Sequence, residues 1–461
     1  MNLSKVKILQ LGYTQLIKVS KIIVLKYFEK ITIGGLILID NDDYYKFPND
    51  ASFSSKFNTK INVKNEKFWL RLLLNNDLGL AESYMYNEID VDNLTTLIKI
   101  YIANRHNFNE NSIIPFYLQN TATYILNSRL SNKFVQYDIS NAIFKIFLSD
   151  DMSYSCGIYK DAHADISKAF TFKSNDNSVH KHKFINNTKR SFLTNENAVN
   201  EGDNLHNAQL RKLRTIIKKA NLGNNSRVLE IGTGFGSISI EICLQFPNVT
   251  IDTLTLSQDE KKFTEERIQE LGYEKRISVH LMDYRKMPLK WKNKFDSVIS
   301  IETIEKLGID SLSTYWKCID WALNTRGIGV FQIKTIPESR YKNYIKSTDF
   351  IERYIDPNFN LPTLTILFET LFEGTEGNLM IDNVKQIGVY YARTFRDWRK
   401  NFIENFDLIV DKLKADYNDI DDISIEIFKR KWIYYFTYCE AGFDTRVIGD
   451  HILTIVSICI L

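Results

Sequence analysis

Residues Arg227 to Gly236 read RVLEIGTGFG: an apolar stretch closing on Glu230, then glycines at 232, 234 and 236. A strand feeding a glycine-rich turn, with the helical pattern SISIEICLQF behind it, brings bare backbone and a helix N-terminus up to a ligand. The dinucleotide fingerprint places its third glycine three residues after the second. Ser237 holds that place here, and the third glycine comes one residue early. Asp252, about twenty residues past the loop, imitates the ribose acid of a nicotinamide site but precedes its strand's end. The loop thus departs from the dinucleotide spacing, which leaves a nucleotide as the alternative reading and a structural turn as the bland one.

The elements that must position this loop alternate. From Asn207 onward the pattern runs AQLRKLRTIIKKANL, RVLEI, SISIEICLQF, VTIDTLTL, DEKKFTEERIQELGY, ISVHLMDY, FDSVISIE, YWKCIDWALN and GIGVFQIKTI. Helices alternating with strands predict an open parallel sheet with helices on both faces. Ligands in such sheets lie at the carboxyl ends of the strands. Thr255, Asp283, Glu302 and Ile336 all stand at or near such ends.

At 461 residues the chain exceeds one ordinary domain, and 44% hydrophobic residues are enough to bury a sizeable core. A formal net charge of +3 gives no nucleic-acid footprint. Five scattered cysteines (156, 243, 318, 439 and 459) show no metal spacing and fit a reducing compartment. No apolar run approaches the roughly 18 residues of a membrane span. Leu9, Tyr13, Leu16, Ile17, Ser20, Ile23, Val24 and Phe28 share one face of a lysine-rich first helix. That face fits a membrane surface or the helix's own domain equally.

Beyond the first helix, ITIGGLILID suggests a strand pair, while NVKNEKFWLRLLLNNDLGLAESYMYNE and NLTTLIKIYIANR read as helices. A polar break near 107–112 places an amino-terminal domain at 1–110 and a second domain at 111–461. Residues 113–159 read as helices leading to Tyr154-Ser155-Cys156. Residues 161–204 turn polar and read as a mobile insertion. Its His180 and His182 have no third ligand nearby, so no metal is expected.

Acid-x-Gly-x-Gly-x-Gly is the spacing seen in S-adenosylmethionine-dependent methyltransferases. Several further segments together resemble one family of them, the cyclopropane-fatty-acid-phospholipid and mycolic acid cyclopropane synthases. They are NNDLGLAESYMYNEID, YDISNAIFKIFLSDDMSYSCGIY, AQLRKL, VLEIGTGFGSISIEI, TLSQDEKKFTEERIQELGYEKRISVHLMDYR, FDSVISIETIEKLG, KSTDFIERYI, NVKQIGVYYARTFRDWRKNF and YYFTYCEAGF. The resemblance covers nearly the whole chain apart from the first thirty residues and the polar insertion. It implies an α/β fold: a Rossmann-like class I methyltransferase sheet with helices on both faces, preceded by a smaller α+β domain.

In such enzymes a cis double bond attacks the sulfonium methyl and leaves a carbocation, so the site must be dry and supplied with one base. The resemblance implies a bound bicarbonate as that base, with Cys156, Glu305, Tyr391 and Ile336 at the positions that hold it. The family's histidine is replaced by Lys334, for which two roles arise: holding the anion or pairing with Glu305. A bland alternative has Lys334 snorkelling outward. The family's HYD motif becomes Gln136-Tyr137-Asp138. Cys439, in YCEAGF, matches a second characteristic cysteine, although the reaction needs no thiolate. Donor contacts carry over to Tyr154, Ser155, Glu230, Gly232, Thr233, Gly234 and Gly236, to Thr255, Leu256 and Glu260 beside the ribose, and to Asp283 and Tyr284 at the adenine.

The implied function is transfer of a methylene group from S-adenosylmethionine to an unsaturated phospholipid acyl chain. Implied partners are acyl chains at a peripheral membrane surface, with a cytoplasmic location, no nucleic acid, and homodimerisation left open. Competing readings are a C-methyltransferase on fatty acids or sphingolipids, a small-amine N-methyltransferase, and a non-catalytic donor- or lipid-binding homologue.

Overall fold

A computed structural model describes residues 3–50, 52–54, 56–108, 139–163 and 203–458, with side chains of the first helix described from Tyr13 onward. The expected domain boundary after residue 110 lies outside the described residues. So do Gln136, Tyr137, Asp138, His180, His182, Cys459 and most of the polar insertion.

The first unit comprises α1 (Leu3–Phe28), β1 (Gly35–Asp40), β2 (Asp43–Phe47), β3 (Asn58–Val63), α2 (Lys67–Met85), β4 (Ile89–Val91), α3 (Leu94–Ala103) and α4 (Arg105–Phe108). Its sheet runs β2-β1-β3-β4. ITIGGLILID supplies one strand, not two: β1 turns at Asn41 (φ 53°) and pairs with β2 downstream. Gly34 takes φ 88° and lets the chain enter β1, a turn role that periodicity alone assigns to a strand. Ile17, Ser20, Val24 and Phe28 of α1 are buried, and α1 packs on α2, so this stripe faces its own domain. Leu16, expected on this stripe, instead points outward at 47% exposure, beside Val19 (50%) and Ile22 (57%).

α2 is kinked at Asn76, whose φ of 49° and ψ of −121° break the helical run. Beneath it, Arg71 lies between Glu82 (2.9 Å) and Glu88 (2.8 Å), all three buried. A buried guanidinium requires such partners, and these tie α2 to the turn entering β4.

The second unit comprises α5 (Asn141–Phe147), α6 (Leu205–Ala220), β5 (Arg227–Ile231), α7 (Ser237–Gln245), β6 (Thr250–Thr255), α8 (Gln258–Glu270), β7 (Ile277–Leu281), β8 (Phe295–Ile301), α9 (Leu312–Ala322) and β9 (Leu323–Thr335). It continues through α10 (Glu338–Tyr344), α11 (Phe350–Tyr354), α12 (Leu364–Thr375), β10 (Leu379–Gln386), α13 (Tyr391–Glu404), α14 (Phe406–Asp416), α15 (Asp422–Asp444) and β11 (Gly449–Ser457). The seven-stranded sheet is ordered β10-β11-β9-β8-β5-β6-β7. β6, β7, β8 and β9 continue the parallel pattern begun at β5. β11 runs against both β9 and β10, so the sheet is mixed and not all-parallel. Hydrophobic period reports burial, not strand direction, which is why this reversal was invisible in the sequence.

The ends of the polar insertion are fixed although its middle lies outside the described residues. Asp203 accepts from Arg211 (2.6 Å) and Arg393 (2.6 Å), anchoring the chain to α6 and α13. α15 packs against α13 on one side and against α2 and α3 on another, joining the two units.

Candidate active site

The glycine loop lies where β5 ends and α7 begins. Gly232, Gly234 and Gly236 have φ of 95°, 49° and 79°, all in the left-handed region that favours glycine. The Gly232 and Thr233 N–H groups donate to Leu254 O (2.9 and 3.0 Å), which clamps the loop to β6. A Cβ on Gly234 would meet nothing within 4 Å, so bare backbone opens onto the adjoining space. Gly236 does not line that space; it caps α7, and a Cβ there would come within 2.6 Å of Thr264.

Glu230 is buried and accepts from Ser239 Oγ at 2.5 Å. Burial pushes its carboxyl up to about 7 despite hydrogen bonds from Ser239 and Thr253. A raised folded pKa means its stabilising contribution is complete below the unfolded value of 4.5 and lost as pH rises through about 7. Urea unfolding of the ligand-free protein should therefore show wild type losing roughly 3 kcal/mol relative to Glu230→Gln across that window. Parallel pH curves for the two proteins would count against it.

The remaining donor-side residues also converge. Lys212 of α6 is buried and donates to Ser155 Oγ at 2.7 Å; burial holds its ammonium below the ordinary lysine value. Tyr154 shares a 3.0 Å hydroxyl contact with Tyr435. Thr255 Oγ1 donates to Glu260 at 2.5 Å, Leu256 is exposed, and Arg285 clasps both Asp283 oxygens. Asp252 accepts from Arg227 (2.8 Å) and pairs with His280 (2.9 Å) within the sheet, so it serves structure rather than a ribose.

The second cluster forms where β8, β9, β11 and α13 meet. The FDSVISI run of β8 is buried, apart from Asp296 and the half-buried Ile301, and ends at Glu302. Glu302 adopts φ 50°, a left-handed conformation that is uncommon for a non-glycine residue. One short helical turn, Ile304–Lys306, then brings Glu305 back beside it. Gln332 and Lys334 are two apart on β9 and so share a face, and β11 sets Asp450 opposite Lys334.

Glu302 is the hub of this cluster. Its Oε1 accepts from the Cys156 N–H (3.0 Å) and Gln332 Nε2 (2.8 Å). Its Oε2 accepts from the Tyr391 hydroxyl (2.7 Å) and lies 2.5 Å from Lys334 Nζ. Glu305 Oε1 accepts from the Lys334 N–H (2.6 Å) and lies 3.8 Å from its ammonium. Lys334 is thus turned inward between two carboxylates, and the snorkelling alternative falls. Burial opposes its charge, but Glu302 and Glu305 outweigh that and hold the ammonium above the ordinary lysine value. Burial raises Glu305, with Lys334 partly offsetting it, and raises Tyr391, which stays a phenol able to donate.

The donors that the resemblance assigns to an anion are engaged by protein groups in this structure. The Cys156 N–H and the Tyr391 hydroxyl both go to Glu302, and the Ile336 N–H donates to Pro362 O (3.0 Å). Burial pushes both the Cys156 and Cys439 thiols well up, so neither is a thiolate. Cys439 is a wall residue and Cys156 lies behind the wall.

One cavity of about 1520 Å³ connects the two clusters. At the glycine loop it is lined by Glu230, Gly232, Thr233, Gly234, Asp283 and Tyr284, and at the second cluster by Glu302, Glu305, Lys334 and Tyr391. Beyond lies an apolar chamber walled by Val24, Phe28, Leu72 and Leu97 of the first unit and by Phe395 and Phe443 of the second. That volume exceeds the roughly 300–1,000 Å³ of a single small-ligand site. Tyr391 stacks on Phe395 (centroids 4.7 Å) and lies 4.4 Å from Phe443, giving the reaction end an aromatic lining. The sequence placed Glu302 at a strand end but gave it no role. The available signal was a second acid three residues before Glu305, facing a lone lysine in KTI.

A family described as mycolic acid cyclopropane synthetase matches residues 126–184 and 195–451. The chain is 26% identical over 385 residues to tuberculostearic acid methyltransferase UfaA1 of Mycobacterium tuberculosis, covering 82% of this chain and 78% of that protein. It is 25% identical over 427 residues to the cyclopropane-fatty-acyl-phospholipid synthase of Escherichia coli K12, covering 89% and 92%. Among solved structures, the mycolic acid cyclopropane synthase CmaA1 complexed with SAH and CTAB superposes with a TM-score of 0.52 at 18% identity, covering 71% of this chain and 100% of that one.

Proposed function

Because the chain belongs to the mycolic acid cyclopropane synthetase family, we propose that it transfers a one-carbon unit from S-adenosylmethionine to a lipid acyl chain. The finer reading is closure of a cyclopropane on a cis double bond of a phospholipid chain. The observation that carries it is the single cavity running from the glycine loop, past a charged cluster, into an apolar chamber. A headgroup-sized or amine substrate has no use for a chamber lined by Val24, Phe28, Leu72 and Leu97.

Bound at the loop, the donor supplies an electrophilic methyl on a sulfonium. Bare backbone at Gly234 lets it approach closely, and Lys212 donates to Ser155 beside it. The apolar chamber orients the alkene and keeps water from the cationic chain. The faces of Tyr391, Phe395 and Phe443 favour a passing carbocation through their negative ring faces. Leu16, Val19 and Ile22 on α1 offer an exposed apolar stripe, with Lys18 and Lys26 on the same helix, suited to a membrane surface. Among the described residues no helix is long and apolar enough to cross a membrane.

The test is expression in cells rich in cis-monounsaturated lipids, followed by mass spectrometry of the fatty acid methyl esters. The expected result is a gain of one CH2 that resists hydrogenation. A gain that takes up hydrogen indicates a branched alkene and replaces ring closure with C-methylation. No gain, with donor binding intact by calorimetry, overturns the enzymatic reading.

A further inference from the structure

The reaction proposed above needs one group to take a proton from the newly added methyl carbon. The resemblance assigns that task to a bicarbonate held by a backbone N–H, a tyrosine hydroxyl and neighbouring groups. In this chain those donors converge on a carboxylate of the protein itself. Glu302 accepts from the Cys156 N–H, the Tyr391 hydroxyl, the Gln332 amide and the Lys334 ammonium, at 2.5 to 3.0 Å. It also lines the cavity between the donor end and the acyl chamber.

We infer that Glu302 is a built-in general base that occupies the anion site and makes the protein independent of bicarbonate. Two further observations support this. Glu302 holds φ 50° at the end of β8, a left-handed conformation that is unfavourable for a non-glycine residue. Such an outlier persists where surrounding contacts enforce it, and it is typical of functional positions. The Ile336 N–H is also committed to Pro362 O, leaving a free anion short of a donor.

The chemistry balances without an added co-reactant. The alkene pair forms the bond to the donor methyl, whose bond to sulfur breaks and leaves its pair on sulfur. A C–H bond of that methyl then breaks, and its electron pair closes the ring onto the cationic carbon. The proton passes to a Glu302 carboxylate oxygen and leaves to water when the product departs. Tyr391 and Lys334 hold the carboxylate in place, and Glu305 balances the lysine.

This inference rests on the lipid-transfer reading, and its test separates the two. Full-length wild type, Glu302→Gln and Glu302→Gly are assayed on dioleoylphosphatidylglycerol vesicles in CO2-free buffer, with and without added bicarbonate. Bicarbonate binding is titrated calorimetrically in parallel. Wild type should be indifferent to bicarbonate and should not bind it. Glu302→Gln keeps an oxygen for the same donors but cannot take the proton. It should lose ring formation by about 10²–10⁴-fold and divert the chain to hydroxylated or unsaturated methylated products. Glu302→Gly relieves the backbone and empties the anion site, so it should bind bicarbonate and regain rate with it. A wild-type rate that depends on bicarbonate, or ring formation retained in Glu302→Gln, overturns the inference. If the variants do not fold, the wild-type titration alone decides. If wild type transfers no carbon, the lipid reading fails, while the binding arms still judge whether Glu302 fills the site.

Discussion

Lys334→Met is expected to destabilise the protein by about 3–5 kcal/mol, the range for removing one partner of a buried ion pair. The lysine ammonium lies 2.5 Å from Glu302 and 3.8 Å from Glu305, and both carboxylates are buried. Without it, two acids three residues apart face each other with no cation between them. Like charges in a low-dielectric setting repel strongly, and burial already raises the Glu305 carboxyl with Lys334 as its main offset. The loss should therefore shrink at acidic pH, where protonation removes the repulsion. Adding Glu302→Gln to Lys334→Met should restore about 1–3 kcal/mol, since the two residues share one network. Urea unfolding of the two single variants and the double variant measures this directly. A Lys334→Met protein within about 1 kcal/mol of wild type, at neutral pH and with unchanged denaturant slope, would show that the lysine is not the cluster's counter-charge.

Gly232→Ala is the second large effect, acting on donor binding. A Cβ at this position would come within 2.1 Å of Thr303 Oγ1, and the backbone φ is 95°. Thr303 cannot simply turn away, because its hydroxyl donates to Ile231 O and Ile301 O, both at 3.2 Å. Either the loop or the segment carrying Glu302 must move. A displacement near 1 Å at a positioning element costs on the order of 10²-fold in rate, so transfer should fall by that order, with weakened donor binding by calorimetry. Thr303→Ala in the Gly232→Ala background should recover only part of it, because the strained φ remains. Gly234→Ala is the informative contrast: its Cβ would meet nothing within 4 Å, so a loss of donor affinity there reports a clash with the donor once the cost of its φ of 49°, read from the unfolding free energy, is subtracted. Donor affinity within about threefold of wild type for Gly232→Ala would remove the loop from the binding argument.

Residues differed in how legible they were. The glycine loop could be read because left-handed backbone writes itself into sequence as glycine. Glu305, Lys334 and Tyr391 were reached through segment matches, and the structure brings them to one cavity. Glu302 escaped for a physical reason. Its partners arrive from Cys156, Gln332, Lys334 and Tyr391, four sites joined only by the fold, and a left-handed non-glycine residue leaves no local mark. The reversed β11 escaped similarly, since GDHILTIVS reads as a buried strand in either direction. Gly236 was assigned to the ligand through its place in the motif, whereas its neighbours show a helix cap pressed on Thr264.

The chamber's walls come from two different units, and this separates two properties that most sites fuse. Phe28, Leu72 and Leu97 close the far end from the first unit, while the charged cluster belongs wholly to the second. On the proposed lipid reading, chain length is gauged by walls that small or bulky substitutions in α1, α2 and α3 can recut. The reacting groups need not change for the gauge to change. Selection, or a designer, can retune what is measured without disturbing what is done to it.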